Sequence, residues 1–581
     1  MIKLPSLKTL SQHFLDTFTR FKWIVIISLA RAFTLIYRAE LTQSNTNERN
    51  LLIRISLVLF LAMPLALSIA MAAERRQWKK YTEPALMLLL TVLLTFYYFF
   101  LSSGPNQTDY YRFMLFMAGA HLLVSYVAFI GFKETNGFWQ FNKTLFLQFL
   151  NATLYAVTLF IGLYIAIETV KFLFGIEFIF EIKTDLAIVI FTFFHTVFFL
   201  NKIPASLNNL EQQTDYPAGL KIFTQYVLLP LELVYLFILY AYTAKIVFQW
   251  RLPDGGVAYL VLAFSVTGLL ALLLLHPLRD NLKERWIRLF SHRFYLALLP
   301  LIILLFTGIF RRIHDYGITE NRYLVAVLAI WLTGIAFYFL LSKRDDIRWI
   351  PVTLSIICFV LAVGPWNIFA VSRTSQIHQF ENILAEYKLL NAENKIGRKA
   401  MLSNHDYEQL FSIVQFFKER DVSVIKKYFP KLPKDNHEEK YSSVMENYLG
   451  KYVSAKKMQQ RDVYAYFSSG PNSDIKVTGF NYLVPFSSGN NQLMQNREWK
   501  IRSGIKGKTL SIYRSNKKLI VWDITQKAAR LKDQYGSNSN NIPSDSLSLH
   551  YQTPEAHVKI ILKSISRSYD DYTSEGIFLY E

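Results

Sequence analysis

Residues 51–73 read LLIRISLVLFLAMPLALSIAMAA, twenty-three residues whose only charge is Arg54. A helix of that length is about 34 Å long, enough to cross the roughly 30 Å hydrocarbon core of a bilayer. A surface helix of a soluble domain keeps a polar face, and this stretch has none. Working outward, one similar segment lies on its amino side, at 23–37. Nine follow on its carboxyl side, at 85–101, 113–132, 145–167, 186–200, 222–246, 257–275, 294–310, 323–341 and 350–363. The segment at 23–37 is short and contains Arg31. The pattern predicts a polytopic α-helical membrane domain of about eleven spans over 23–371, preceded by residues 1–22. There, Leu10, Phe14, Phe18 and Phe21 recur at helical steps, suiting an amphipathic helix in the cytoplasmic interface.

Charge distribution supports this division. Residues 372–581 hold 31 Lys+Arg and 22 Asp+Glu, and the much longer stretch 1–371 holds nearly the same, 32 and 21. A soluble enzyme, a disordered chain and a disulfide scaffold are excluded. The single cysteine, Cys358, falls inside the last span. Loop charges set the expected orientation: with the amino terminus inside, 20 Lys+Arg fall in inner segments and 11 in outer ones. Eleven spans then carry the tail outside the cytoplasm. The expected location is the bacterial inner membrane.

After residue 371 the periodicity changes. Ile377, Phe380, Leu384, Tyr387 and Leu390 form an amphipathic stripe, and a second helix is expected from Asn404, carrying Leu410, Phe411, Val414 and Phe417. Beyond Gly450, strands are expected at 463–467, 475–486, 500–502, 510–514, 519–523, 546–551, 558–566 and 576–580, with a helix at 525–534. The tail therefore reads as a smaller α+β soluble domain, helical over 372–450 and β-rich over 451–581.

Three stretches carry a family resemblance: YPAGLKIFTQYVLLP at 216–230, RIHDYGITENRY at 312–323, and Gly364-Pro365-Trp366. They resemble the multi-pass bacterial membrane proteins grouped as domain-of-unknown-function family 4153, over most of residues 20–370. The tail resembles the variable extensions attached to that core. The resemblance implies a polytopic membrane protein and brings no reaction, substrate or catalytic residue with it.

Two constellations are candidates for chemistry. Glu232 lies inside the seventh span, just after Pro230, where a helix can kink and free a carbonyl. An ionisable group at that depth is costly unless paired or hydrated, so Glu232 with His195 of the sixth span is a candidate proton or ion site. The plainer alternative is a protonated Glu bonded to a nearby Tyr or Asn. His121 is a weaker intramembrane candidate, and Glu168 with Lys171 reads as a local pair.

The second constellation is Arg311, Arg312, His314, Asp315 and Glu320 in an outer loop, with Trp250, Arg251 and Trp366 in neighbouring outer loops. It suits an anionic group of an envelope ligand, and interfacial anchoring is the plainer alternative. Phosphate-loop, zinc-protease, Cys-x-x-Cys and Gly-x-Ser-x-Gly motifs are absent from the sequence. No cofactor, metal, catalytic residue or nucleic-acid partner is expected. Membrane lipids and an envelope protein or anionic envelope ligand are the expected partners. The leading reading is a non-enzymatic binding, scaffolding or envelope-maintenance component. The alternatives are a proton-coupled secondary transporter and a membrane enzyme acting on a lipid-linked substrate.

Overall fold

The computed structural model describes residues 7–41, 45–175, 181–249, 256–279, 285–342, 346–429, 445, 448–455, 464–469, 477–487, 492–496, 498–535, 538–554, 556–568 and 571–581. Trp250, Arg251, Asp254 and the start of the strand expected at 475 lie outside them. The described chain divides into two compact units, Met1–Ser454 and Ala455–Glu581. Residues 372–454 thus pack in the same unit as the membrane helices.

Helices stand at all eleven expected positions. After α1 (Leu7–Arg20) come α2 (Lys22–Glu40), α3 (Thr46–Arg76), α4 (Thr82–Phe100), α5 (Gln107–Tyr126) and α6 (Thr135–Phe174). Then follow α7 (Ile182–Asn201), α8 (Ala218–Gln249), α9 (Val257–Leu275), α10 (Arg285–Tyr316), α11 (Glu320–Leu341) and α12 (Trp349–Ala362). Among the described residues nine, α3–α11, are long and apolar enough to cross a membrane. The other two fall short for visible reasons: α2 carries Lys22, Arg31, Arg38 and Glu40, and α12 has only 14 residues.

Small residues bring these helices close. In α3, Ala62, Ala66, Ser68 and Ala70 are buried, and the helix packs against α2, α4 and α5. Pro64 sits inside α3, where the Ser68 hydroxyl donates to its carbonyl at 2.8 Å. Gly119 of α5 lets α12 approach so closely that a Cβ there would lie 3.0 Å from Phe359. The Ser355 hydroxyl of α12 donates to the Gly119 carbonyl at 2.8 Å. By contrast α4 turns Leu88, Val92, Phe96 and Phe99 outward, as a lipid-facing helix does. Two interruptions stand out. α7 contains a π turn at Val189–Phe194, and α8 contains one at Thr224–Leu228, just ahead of Pro230.

Contacts between helix ends show the helices running alternately. Arg20 reaches Glu74, the end of α3, while Arg54 near its start donates to the Tyr98 carbonyl at the end of α4. Continued through α12, the alternation leaves α1 at one end of the bundle and residues 363–368 at the other. There, Arg112 of α5 donates to the Ala362 carbonyl at 3.4 Å. Beyond α12, α13 (Ile368–Glu386) is capped by Asn367, whose side chain accepts from Phe369 N and Ala370 N. The next helix, α14 (Asn404–Lys418), is capped by Ser403, one residue earlier than the sequence suggests. The Ser403 hydroxyl accepts from Asp406 N at 3.1 Å, leaving Asn404 as the first helical residue. Phe380, Leu384, Leu410, Val414 and Phe417 form the buried core of this helical part.

The second unit is a strand-rich domain. A six-stranded sheet runs β4-β12-β11-β3-β9 with β10 also on β11, over strands β3 (Tyr464–Ser469), β4 (Tyr482–Ser487), β9 (Asn538–Ile542), β10 (Ser548–Thr553), β11 (Ala556–Ser568) and β12 (Asp571–Tyr580). A four-stranded antiparallel sheet joins β5 (Gln492–Gln495), β6 (Trp499–Ser503), β7 (Thr509–Arg514) and β8 (Lys517–Asp523). β1 (Ala400–Leu402) and β2 (Val453–Ala455) form a separate pair. The helix α15 (Ile524–Tyr535) buries Ile524, Ala528 and Leu531 in a core with Trp499, Ile512, Val558, Ile560 and Phe578. Strand alternation supplies that core: Trp499 and Ile501 of β6 point in, and Arg502 points out. Fold class thus agrees with expectation, a helical membrane region followed by an α+β tail.

Candidate functional site

The outer-loop constellation is mostly a structural joint. α10 ends in Arg311, Arg312, His314 and Asp315, and Gly317 makes the turn at φ +69, a conformation glycine adopts without strain. The loop's backbone polar groups are then satisfied one by one. Gln376 donates to the Tyr316 and Ile318 carbonyls at 3.1 and 3.0 Å. Ser375 accepts from Ile318 N at 2.8 Å. Arg322 donates to the Tyr316 and Gly317 carbonyls at 3.0 and 2.9 Å. A Cβ on Gly317 would lie 2.9 Å from Gln379 Cγ and 3.0 Å from Gln376 Nε2, so α13 sits directly on the turn.

Glu320 opens α11 and is 3% exposed. It faces away from solvent and pairs with Arg420, Nε–Oε1 2.7 Å and Nη2–Oε2 3.1 Å, a bidentate fork. Arg420 also lies over the Phe416 ring at 4.0 Å. Asp315 is 3.7 Å from Arg311 and 3.2 Å from His314 Nδ1, and its carbonyl lies 3.3 Å from His405 Nε2. The His314 side chain is 90% exposed. Arg312 is half-buried in the same turn of helix. Trp366 is exposed and joins the group only through its carbonyl, which accepts from the Tyr323 hydroxyl at 3.3 Å.

The intramembrane pair is not brought together. His195, at the end of the π turn in α7, contacts α6: its Nε2 lies 3.2 Å from the Thr153 hydroxyl and its ring meets Phe149 edge-on at 5.5 Å. Thr153 gives its own proton to the Phe149 carbonyl at 2.8 Å, so His195 Nε2 is the donor in that contact. Glu232 faces α9 and α10 instead. A Cβ on Gly268 would come 3.3 Å from Glu232 Oε2 and 2.2 Å from Phe294, so only glycine leaves room for this carboxyl. Glu232 is 3% exposed, and its Oε2 has no hydrogen-bond partner among the described residues. A cavity of ≈ 320 Å³ lies beside it, lined also by Phe264, Phe290 and Arg293. His121 makes only a local bond, 2.8 Å to the Met117 carbonyl. Glu168 pairs with Lys183 of α7, a different lysine from the expected Lys171.

Sequence reasoning missed a denser polar network at the end of the bundle near α1. Arg75 is buried there, 2.5 Å from Glu134, hydrogen-bonded to Asn208 and 4.3 Å from the centre of the Phe132 ring. Arg76 donates to the Val127 and Ile130 carbonyls at 3.1 and 3.0 Å, and Arg20 holds Glu74 and the Ile203 and Pro204 carbonyls. Lys143 reaches Asp215 at 3.3 Å. Trp139 and Tyr216 stack at 5.4 Å and donate to the Leu273 and Leu274 carbonyls. The available signal was the recurrence of acids, Glu74, Glu134 and Asp215, among the bases of these same-end loops.

Comparison with known proteins now adds its part. The model of a family described as Domain of unknown function (DUF4153) matches residues 23–393. The chain belongs to this family. A relative in Pasteurella multocida (strain Pm70), itself described as uncharacterised, is 27% identical over 280 residues, covering 48% of this chain and 47% of that protein. The chain thus spans about half the length of the curated relative it matches. No solved structure matches it. Within the DUF4153 region lie α2–α13, Glu232, His195, Glu320 and the whole network around Arg75. Arg420 lies beyond it, so the Glu320–Arg420 fork ties the family core to the chain that follows.

Proposed function

We propose that this DUF4153 protein is a non-enzymatic scaffold of the bacterial inner membrane. Its helix bundle anchors the helical part 368–454 and presents the domain 455–581 to an envelope protein or an anionic envelope ligand. One observation carries the reading: the charged and polar groups of the rim are engaged in internal ties, with Glu320 forked to Arg420 and the 316–318 backbone held by Gln376, Ser375 and Arg322. Such a joint transmits position from the membrane to the chain beyond it. The proposed orientation, amino terminus in the cytoplasm and tail outside, rests on the 20 to 11 excess of basic residues at one end.

The transporter alternative keeps one favourable observation, the unpartnered Glu232 Oε2 beside a cavity. Against it, His195 is engaged with α6. Complementation of a deletion strain separates the readings. A chain ended after Ser454 is expected to reach the membrane and fail to complement, while Glu232→Gln and the double variant His314→Ala/Asp315→Ala complement fully. Full complementation by the truncated chain would sink the scaffold reading. Failure of Glu232→Gln at normal abundance would bring transport forward.

A further inference from the structure

The cavity beside Glu232 has features of a binding site for one chemical class. It lies between two helical stripes, Glu232 and Leu236 on α8 and Trp286, Phe290 and Arg293 on α10, with Phe264 of α9 behind. The Tyr240 hydroxyl closes its far end by donating to the Ala297 carbonyl of α10 at 2.8 Å. Trp286 and Leu289 on the α10 wall are 47% and 57% exposed, so the opening faces the surface that a bilayer covers. Trp286 lies near the start of α10, at the level where aromatic side chains mark the edge of a membrane. The occupant enters from lipid.

Its charges follow from the walls. Glu232 Oε2 is buried without a partner, although Arg293 stands on the same cavity. A purely anionic head would satisfy Arg293 and leave the carboxylate bare. A purely cationic one would do the reverse. A zwitterion satisfies both, and an unpartnered carboxylate oxygen calls for an N–H donor, which a quaternary ammonium lacks. We propose that this groove holds a phospholipid whose head carries a primary ammonium. The ammonium donates to Glu232, the phosphate accepts from Arg293, and the first carbons of an acyl chain lie against Leu236, Phe264 and Phe290.

The test uses the purified full-length protein, stripped of lipid and titrated in turn with phosphatidylethanolamine, phosphatidylcholine and phosphatidylglycerol of identical chains, with retention read by native mass spectrometry. Ethanolamine lipid should be retained about five-fold better than the other two, the factor that one charge-assisted hydrogen bond of modest net strength supplies. Glu232→Gln should erase that preference. Arg293→Gln, at an exposed position that tolerates change, should weaken retention of phosphatidylethanolamine, and Ala297→Phe should do so by filling the groove. Equal retention of the three lipids by the unaltered protein overturns the proposal, and is the result expected of a proton site that binds no lipid. Undiminished ethanolamine preference in a folded Glu232→Gln protein overturns it as well.

Discussion

Glu232 and Glu320 are chemically identical and equally buried, each 3% exposed, yet their surroundings differ in kind. Glu320 sits at the rim, between α11 and α14, with both oxygens taken by the Arg420 guanidinium. Glu232 sits among α8, α9 and α10, against a glycine and two phenylalanines, with one oxygen unpartnered. A forked, desolvated pair is a fixed point. Its charges are matched, and removing either leaves the other stranded. A buried carboxylate without a partner is instead an unfilled demand, which a proton or a ligand can meet. Burial alone therefore does not mark a site. The identity of the partner does.

The largest effect is expected where the pair is complete. Arg420→Ala strands Glu320 and should cost about 3–5 kcal/mol, the usual loss when one member of a buried ion pair is removed. The double variant Glu320→Gln/Arg420→Gln should recover much of it. Thermal unfolding in detergent, with proteolysis of the segment after α13 as a second readout, measures both. If Arg420→Ala is silent, the joint is ornamental and the contrast between the two glutamates collapses. Next in size is Arg75→Ala at the other end of the bundle. Glu134 keeps some solvent access, at 24% side-chain exposure, so the loss should be about 1.5–3 kcal/mol, as for hydrogen bonds to charged groups. A loss as large as that at Arg420 would show that the two ends are held equally tightly.

The contrast explains what could be read in the sequence. Long apolar runs such as 51–73 announce helices through composition alone, and all eleven expected positions are helical. Class was legible because lipid exposure forces apolar residues onto every face of a span. Partners were not, because a pairing such as Glu320 with Arg420 joins residues a hundred positions apart and leaves no local pattern. The group Arg311, Arg312, His314, Asp315 and Glu320 looked like one site since its members are consecutive. In the fold Glu320 turns inward while His314 turns out. The proximity of Glu232 to His195 was inferred from similar depth in adjacent spans, but depth does not fix which helix a side chain faces. The Arg75 network was read only as a topological charge bias. Its acids come from three separate loops, and nothing in any one of them shows that the loops meet.

A smaller effect sharpens the comparison from the other side. Glu232→Gln removes a charge that has no counter-charge, and desolvating an amide costs less than desolvating a carboxylate, so stability should hold or rise by less than about 1 kcal/mol. Glu320→Gln, made alongside, strands Arg420 and should lower the thermal midpoint. Equal losses for the two substitutions would mean that Glu232 has a partner of its own.

The smallest effect carries the same question into the 455–581 domain, where water is available. Burial, and after it the nearby Lys559, hold His550 below its ordinary value of 6.5, with Lys527 and His557 adding to the depression and Asp545 opposing it. The Ser548 hydroxyl lies 3.2 Å from its Nε2. Near pH 6 the unfolded chain binds more protons at this position than the folded one, so folding stability rises with pH there. The contribution is complete above pH 6.5 and is lost as pH falls toward the lower folded value. Because His550 is exposed, water and salt weaken the effect, and it should appear only as a shallow slope in the domain's thermal midpoint between about pH 5 and 7. His550→Gln should flatten that slope while leaving the midpoint above pH 7 nearly unchanged. A slope that survives the substitution would assign the proton uptake to another group, and a slope of opposite sign would mean that Asp545 outweighs burial and the lysines around the ring.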